Sequence, residues 1–443
     1  MKSKIPVVGS IEQVVFSRYE EATMSNSNAS ARVFQGLVFC ALLVASTLLA
    51  ASSVSAANLT VICPGGGPGA YPSITAALNA ITNNAGPNSI TVSGTCTENI
   101  TIRNQNDLSI QAAPGSTAVI VNAASPAQIT VQLFGSRLVA FYGLTIQGGN
   151  PGLFVNQVSD LQMFNSVIEK NVGPGAVVLI KSDLNLVSCI IRNNGSDGLV
   201  AGDSSIVLVG SPIQILNNSG SGAVAFSNGY IKFQSTGGHI IEGNAGSGVL
   251  ADTDGHVFLQ SFDLPTVIRN NGLNGLDFRR GSTGRVDGQN TIENNGVVGL
   301  RVESSTATFF GSTTITGHRF GVDVLGGGEL TFNGPHQITG NGNPTNEGGI
   351  HLQRSSLSLQ DGATVSNNVG TGILGDANSS IVLGPTASVT NNTSTGIRLR
   401  HKSLVGLTAP VTIHGNGGAN IACDSTSLAY GQLAGITGVQ CQE

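Results

Sequence analysis

The chain has 443 residues, no Trp, five Tyr and 60 Gly, and only a tenth of its residues are charged. Glycine at this level without a Gly-X-Y period excludes collagen, and an apolar share of 40% argues against a disordered chain. A mild net charge of −5 without a basic patch argues against nucleic acid as a partner. Short aliphatic runs beside many Gly and Asn are instead typical of short strands joined by tight turns.

Residues 1–56 have the pattern of a secretory signal peptide. A basic residue, Arg32, precedes a long apolar run, and Val54-Ser55-Ala56 then forms a cleavage site that predicts a mature N-terminus at Ala57. Met24 is the expected true start, because the segment that begins there is a well-proportioned signal. The alternative is an uncleaved anchor helix, since the apolar run is nearly long enough to span a bilayer. We therefore expect a secreted, periplasmic or cell-surface protein.

Five cysteines remain after the predicted cleavage. Export makes disulfides chemically possible, and the positions predict one pair near each end of the fold, Cys63 with Cys96 and Cys423 with Cys441. Cys189 lies in a buried-strand pattern and is expected to be a small core residue. No Cys-x-x-Cys pair or histidine cluster indicates a zinc site, so the motifs predict no metal or other cofactor.

The segment from Ala57 to about residue 100 predicts a cap for one end of the fold and the first strands. Tyr71 to Ile81 has the pattern of a short helix with Ser73 as its N-cap. The apolar residues of this helix fall on one face: Ile74, Ala77, Leu78 and Ile81. A helix of two turns is not stable alone, so this face is expected to cover the open end of a stack of strands.

A repeat of about 24 residues dominates the rest of the chain. Each copy contains Asn, then Gly, then an aliphatic residue, and this last residue recurs at intervals of 22 to 28 residues. The registered positions are Leu153, Ala176, Leu199, Ala223, Val249, Leu276, Leu300, Val322, Ile350, Ile373, Ile397 and Ile421. Between them, aliphatic alternations predict about three short strands in each copy.

Three short strands per copy, stacked in register, predict an all-β fold, a right-handed parallel β-helix with a short N-terminal capping helix. Each coil advances one inter-strand spacing, ~4.8 Å. The repeated Asn is expected to be structural, because Asn tolerates a left-handed turn and its amide can bond from coil to coil. We assign residues 57–100 to the cap and first strands, 101–422 to the β-helix and 423–443 to a disulfide-closed C-terminal cap.

Two segments near the N-terminus carry a resemblance to a known family. Tyr71–Ala77 and Val92–Ile102, with the Asn-x-Gly-x-Gly-Ile coils, resemble pectin-lyase-like β-helix proteins, which include many exported bacterial proteins of unassigned activity. The resemblance implies the fold for nearly the whole mature chain but no activity, because the superfamily holds lyases, hydrolases, esterases, epimerases and adhesins. The sequence lacks the Gln-Asp-Thr run of pectin methylesterases and the Gly-His-Gly run of galacturonan hydrolases.

The outer face of the coils changes character along the chain. The residue after each registered aliphatic, and the residue two positions further on, are expected to point away from the core. From residue 252 to residue 351 most of these positions are charged or ionisable, and the candidate site residues are Asp252, Asp277, Arg279, Arg301, Glu303, Asp323 and His351. They either line a glycan groove, as a Ca²⁺ site or an acid–base pair, or pair as opposite charges along the sheet. The alternating sign favours pairing.

In the preceding coils the same outward positions are apolar: Phe154, Val177, Leu179, Val200, Val224, Phe226 and Leu250. Large exposed apolar patches usually mark interactions, so we expect cover from a loop of the same chain, a partner subunit or a ligand. We favour a protein contact, with a second copy of the chain or another protein. The absence of Trp argues against a sugar cleft built on stacked aromatic rings.

Two classes of function follow from these patterns. The first is an exported, non-catalytic protein that binds a partner or a polysaccharide through its long sheet face. The second is a polysaccharide lyase or glycoside hydrolase with a diverged site on the charged coils. An enzyme needs a carboxylate with little cationic pairing, so the partners of the charged residues distinguish the two classes.

Overall fold

The computed structural model describes residues 56–441, apart from residues 211, 343–347 and 409 and the side chain of Ser235. The predicted signal peptide and its alternative, an anchor helix, therefore lie outside the described residues except for Ala56. No helix in the described part of the chain is long and apolar enough to cross a membrane.

The chain forms a parallel β-helix of about 14 turns, which confirms the predicted fold class. Three columns of strands run along the stack, and we call them sheets 1, 2 and 3. Sheet 1 has 15 strands, which also number the coils from 1 to 15. Its strands are Ile100–Arg103, Val131–Phe134, Leu153–Asn156, Ala176–Val178, Leu199–Ala201, Ala223–Phe226, Val249–Asp252, Leu276–Arg279, Val298–Glu303, Phe320–Leu325, Ile350–Gln353, Ile373–Asp376, Ile397–Leu399, Ile421–Cys423 and Val439–Gln440.

Sheets 2 and 3 are joined by long strands that turn the corner between them, so together they make one hydrogen-bonded sheet of 27 strands. The strands that belong to both sheets are Asn88–Thr97, His256–Arg269 and Thr283–Glu293. The other strands of sheet 2 are Asn58–Cys63, Asn106–Ala112, Arg137–Tyr142, Asp160–Phe164, Asp183–Val187, Ile206–Gly210, Tyr230–Ser235, Thr306–Phe310, Glu329–Asn333, Ser356–Gln360, Ser380–Leu383, Leu404–Leu407 and Leu428–Gly431. The other strands of sheet 3 are Ala118–Val121, Leu144–Gln147, Val167–Glu169, Ile190–Arg192, Gln214–Leu216, Ile240–Glu242, Ser312–Thr316, Gln337–Thr339, Thr364–Ser366, Ser388–Thr390 and Thr412–His414.

The register of sheet 1 confirms the alignment made from the sequence. Each of the twelve registered aliphatic residues is paired with the next, from Leu153 with Ala176 to Ile397 with Ile421. All twelve are buried and stack along the interior. Two earlier coils, at Ile100 and Val131, and one later coil, at Val439, extend the sheet beyond the aligned copies.

A ladder of buried asparagines confirms the coil-to-coil hydrogen bonding predicted for the repeated Asn. The predicted left-handed turn conformation belongs instead to the residue before it, for example Asn193 or Asn294. From Asn171 to Asn271, each side-chain amide donates to the amide oxygen of the Asn one coil later at 2.8–2.9 Å, and Asn295 is the last acceptor of this series. The same oxygen also accepts the preceding Asn's backbone N–H. His318 takes the next position, and the ladder resumes at Asn341. The ladder satisfies polar groups that would otherwise be buried without partners.

A second ladder, of buried serines, lies in the turn between sheets 1 and 2. Backbone N–H groups there donate to the hydroxyl of the serine one coil later, as in Ser136 to Ser159 and Ser379 to Ser403, both at 3.2 Å. Glycine replaces serine in some coils, for example at Gly229 and Gly255. This interruption explains why the sequence pattern did not reveal the ladder.

The N-terminal end carries the predicted helix, Ile74–Ala80, with Ser73 as its N-cap. Ile74, Ala77 and Leu78 are buried against the stack, as expected for a capping helix. The carboxylate of Glu98 accepts the backbone N–H of Ile74 at 2.7 Å and so satisfies a free amide at the helix start.

The two predicted disulfides are present, one between Cys63 and Cys96 and one between Cys423 and Cys441. Cys189 is a free, buried thiol, and burial raises its pKa. Its place in the core agrees with the prediction. The domain boundaries drawn from the sequence stay a prediction, although strands of the same sheets occur on both sides of residues 101–422.

Candidate functional site

The register of sheet 1 defines two columns of side chains on its outer face. Outer column 1 holds the residue after each registered aliphatic, and from coil 8 to coil 13 its members are Asp277, Arg301, Asp323, His351, Leu374 and Arg398. Outer column 2 lies two positions further on, and from coil 8 to coil 12 its members are Arg279, Glu303, Leu325, Gln353 and Asp376. Asp252 occupies column 2 of coil 7. The predicted site residues therefore share one face, spread over about 19 Å of stack.

Asp277 is fully buried although it belongs to the outer face. Its carboxylate accepts hydrogen bonds from Arg279 Nε at 2.8 Å and Asn274 Nδ2 at 2.7 Å, and from the hydroxyl of Ser247 at 3.3 Å. Both carboxylate oxygens are thus taken up by donors of the same chain. A carboxylate in this environment is a structural anchor, because it has no exposed surface for a substrate to contact.

Two further candidate pairs are closed on themselves. Arg301 donates to Glu303 at 2.7 Å, two positions along the same strand. Arg280, in the following turn, donates from Nε and Nη2 to the two carboxylate oxygens of Asp252. Burial raises the pKa of Asp252, but the hydrogen bonds and charge of Arg280 outweigh this and hold the pKa below its usual range. Opposite charges therefore do pair on this face, as predicted. They pair within a strand and with a turn residue as well as between coils.

Asp323 and His351 form the pair that most resembles a working site. They face each other on coils 10 and 11, with His351 Nδ1 at 2.8 Å from Asp323 Oδ1. Their side chains keep 20% and 23% of their surface exposed. The carboxylate orients the imidazole through Nδ1 and leaves Nε2 as the nitrogen that could bind or exchange a proton with a ligand.

The face continues into coils 12 and 13 through residues that were not among the predicted site residues. Asp376 accepts a hydrogen bond from His401 Nδ1 at 2.6 Å. Burial raises the pKa of Asp376, but that bond and the charge of Arg400 outweigh it and keep the pKa below its usual range. Asp376 follows the same column periodicity as Glu303, which could have identified it. His401 lies in a turn, and no periodic signal marks it.

No candidate carboxylate on the charged coils lies in a cluster of three metal-ligand side chains, as far as the described residues go. The cluster that those residues do contain is Cys63, Cys96 and Glu98, whose sulfurs form a disulfide and whose carboxylate caps the helix. A Ca²⁺ site on the charged coils stays a prediction.

The apolar residues predicted to face outward in coils 3 to 7 lie where expected, and each is half-buried by its neighbours. At the centre of this apolar half, Gly202 has no side chain, and a Cβ there would lie 2.5 Å from the ring of Phe226 and 3.0 Å from Leu179 Cδ2. The two side chains therefore fold over the glycine and flatten the surface. A partner for this surface stays a prediction.

A polar cavity that the sequence did not suggest lies beside coils 1 to 3. It has a volume of about 400 Å³, and four side-chain amides contribute to its lining: Asn99, Gln128, Gln132 and Asn150. Asn99 is already bonded to Asn122 and to the carbonyl of Ile129, at 2.5 and 2.7 Å. The cavity is therefore an uncharged, amide-lined depression at the N-terminal end of the outer face.

Comparison with known proteins agrees with this architecture. The family model described as "Right handed beta helix region" matches residues 75–236. No curated protein sequence matches the chain. Among solved structures, the chain is similar to pectate lyase Pel9A, with 16% identity, a TM-score of 0.34, and coverage of 73% of this chain and 80% of that chain.

The chain is also similar to the A-modules of two Azotobacter vinelandii mannuronan C-5 epimerases, AlgE4 and AlgE6. The identities are 13% and 15%, both TM-scores are 0.41, and 81% of this chain is covered with 96% and 94% of those chains. These values bear on neither activity nor substrate. The family match over residues 75–236 and the coil-by-coil register together show that the chain folds as a right-handed parallel β-helix.

Proposed function

We propose that the chain is an exported, non-catalytic protein that binds a neutral polysaccharide along coils 10 to 13 of sheet 1. The observation that carries this proposal is the Asp323–His351 pair, which is fixed by a 2.8 Å hydrogen bond and still partly exposed. Such groups offer sugar hydroxyls donors and acceptors whose orientation is already set, so little side-chain entropy is lost on binding.

The composition of the surrounding face supports a neutral polymer. In coils 10 to 13 the two columns hold two carboxylates and two guanidiniums, whose charges cancel: Asp323, Asp376, Arg398 and Arg400. Leu374 is buried and Leu325 is half-buried, so most of the groups that these coils present, including Gln353, can form hydrogen bonds. Repetition every ~4.8 Å favours an extended, repeating ligand. Because the face has no Trp or Tyr, recognition would rest on hydrogen bonds rather than on ring stacking.

The partners of the acidic candidates support a non-catalytic role. Asp252, Asp277 and Glu303 each bind an arginine, and Asp277 has no exposed surface. A general acid or base needs a carboxylate that can reach the substrate and change its protonation state. Export is supported by the two disulfides, which form in oxidising compartments, and by the signal pattern in the sequence.

Affinity electrophoresis through gels that contain single polysaccharides would test the proposal. The full chain is expected to be retarded by at least one neutral polysaccharide, and the double variant Asp323→Asn/His351→Ala should bind roughly tenfold more weakly, since it loses about one hydrogen bond's worth of energy. The matched control is His256→Ala, a half-buried histidine of sheet 2 bonded to Thr283 at 2.6 Å. Equal weakening by both variants, or binding of no neutral polysaccharide, would contradict the proposal.

A second candidate function, cleavage or epimerisation of the bound polysaccharide, has the same pair in its favour. In that case His351 Nε2 would take or give the proton at the reacting carbon or oxygen, and Asp323 would hold the ring in position. Reducing-end and unsaturated-product assays on the retained polysaccharides, with and without Ca²⁺, separate the two functions. Turnover that His351→Gln removes and His256→Ala leaves intact would establish the enzyme, whereas retention without turnover supports the binding protein.

A further inference from the structure

The outer face of sheet 1 is divided along its length into an apolar half and a charged half. The apolar half runs from Phe154 on coil 3 to Leu250 on coil 7, and its middle residue in outer column 1 is Val200 on coil 5. Five coils at ~4.8 Å, on a face that extends roughly 15 Å along the strand direction, give a footprint of about 350 Å². This is in the range of apolar patches that mediate contacts.

We propose that two copies of this chain pack face to face across this surface, about a two-fold axis that passes beside Val200 and runs along the strands. Such an axis reverses the helix direction and leaves outer column 1 opposite column 1, and column 2 opposite column 2. Coils at equal distances on either side of coil 5 then face each other. This proposal does not depend on the proposed polysaccharide function.

The sequence of the two columns is self-complementary under this operation. Val177 would face Val224, and Phe154 would face Leu250, so the apolar residues of column 1 meet apolar residues. In column 2, Phe226 of each copy would face Leu179 of the other copy, and the two Gly202 residues would face each other between these contacts. Every large apolar side chain of the patch therefore acquires an apolar partner, which removes from water the surface that is now half-exposed.

The flanking coils are complementary in charge. Coil 9 would lie opposite coil 1, where the exposed Arg103 faces Glu303 of the other copy. On coil 8, Arg279 would face the ring of Phe134, on which the guanidinium of Arg103 in the same copy already stacks at 4.7 Å. Overlap of coils 1 to 9 gives an interface roughly 43 Å long and about 650 Å² per chain, close to the ~800 Å² per partner of standard complexes.

The other face-to-face arrangement, with the helix axes parallel, is less favourable. It would put column 1 of each coil opposite column 2 of the same coil. This pairs Asp277 with Arg279 of the other copy, but it also places Leu250 opposite Asp252 and Arg398 opposite Arg400. Apolar groups against a carboxylate, and like charges against each other, oppose association. The antiparallel arrangement also leaves coils 10 to 13 beyond the end of the partner, so the proposed polysaccharide face stays open.

Size-exclusion chromatography with light scattering on the full chain tests the proposal. A mass twice that of the chain is expected, and Val200→Asp and Val200→Lys should each give monomers, because residue 200 faces its own copy across the axis. An equimolar mixture of the two variants should recover the dimer, since aspartate then faces lysine. Val187→Asp, at a half-buried outward valine of sheet 2, is the matched control and should remain dimeric.

Several results would overturn the proposal. A wild-type chain that is monomeric at all concentrations, or a dimer that survives Val200→Asp, would exclude this interface. Two monomeric variants that do not associate when mixed would place the axis elsewhere. Circular dichroism of each variant establishes that it is folded, and Val200→Cys, which should form an intermolecular disulfide under oxidation, gives an independent readout because the native Cys189 is buried.

Discussion

Acid is expected to destabilise the fold through the histidine that interrupts the asparagine ladder. His318 is buried, its ring Nδ1 lies 3.1 Å from Asn341 Oδ1, and its Nε2 lies 3.1 Å from Asn295 Nδ2. Only the neutral ring with its proton on Nδ1 satisfies both contacts, because Nε2 must accept from the amide. Protonation of Nε2 would place its N–H next to the amide N–H of Asn295, so that two donors face each other without an acceptor inside the stack. Burial accordingly lowers the pKa of His318 to about 4.

The magnitude follows from the difference between folded and unfolded states. The unfolded histidine takes up a proton near pH 6.5, whereas the folded one does so only near pH 4, so between these values the unfolded chain binds more protons. The contribution of His318 to the free energy of unfolding is fully present above pH ~6.5 and is lost as the pH falls toward 4, by about 3 kcal/mol in all. His239 is also buried, and burial lowers its pKa to about 4 as well, so it contributes a similar loss over the same range.

Urea denaturation at about pH 7 and about pH 4.5 measures this effect. His318→Asn returns an amide to the ladder and should reduce the loss of unfolding free energy on acidification by roughly 2–3 kcal/mol relative to wild type. His414→Asn, at an exposed position, is the control and should leave the loss unchanged. An acid loss as large in His318→Asn as in wild type would refute the reasoning, because no titrating group would then remain at that rung.

Other predictions concern the scaffold. Asn271→Ala removes the acceptor of both Asn244 donors and the donor to Asn295, so it should cost about 2–4 kcal/mol of unfolding free energy measured in urea. Asn185→Ala, at a half-buried outward position of sheet 2, should cost less than about 0.5 kcal/mol. Gly299→Ala should cost more than about 2 kcal/mol in the same assay, because its Cβ would lie 2.4 Å from Ile315 Cγ2, while Gly210→Ala, with no atom within 4 Å, should be nearly neutral. Equal effects within either pair would contradict the packing described above.

The fold could be predicted from the sequence because its determinants repeat. Each coil needs an aliphatic residue inward, an Asn at one turn and a Gly where a side chain would collide, and these recur at nearly constant intervals. Gly299 illustrates the last requirement, since its missing Cβ is what lets Ile315 and the next coil's backbone approach. The helix at Ile74–Ala80 was predictable for another reason, because its cap and apolar face are local patterns.

The partners of the charged residues could be predicted only in part. Column order correctly predicted the Asp323–His351 pair between coils, but Asp277 binds Arg279 of its own strand rather than Arg301 opposite. A long arginine side chain can reach back two positions on the same face of a strand, and sequence spacing does not decide between these partners. The burial of Asp277 also depends on Asn274, a turn residue whose direction no periodicity reveals.

The two proposals together lead to a bivalent molecule. Because the proposed dimer is antiparallel, each copy would present coils 10 to 13 at an opposite end, and one dimer could bridge two polysaccharide chains. Val200→Asp should then bind a single polysaccharide as well as wild type does but should lose the ability to cross-link it, which light scattering of polysaccharide solutions would detect. Asp323→Asn/His351→Ala should lose cross-linking through weaker binding while remaining dimeric. If Val200→Asp weakened binding to the same extent, the apolar and charged halves would form one site rather than two, and the division of the face argued from its outer columns would be wrong.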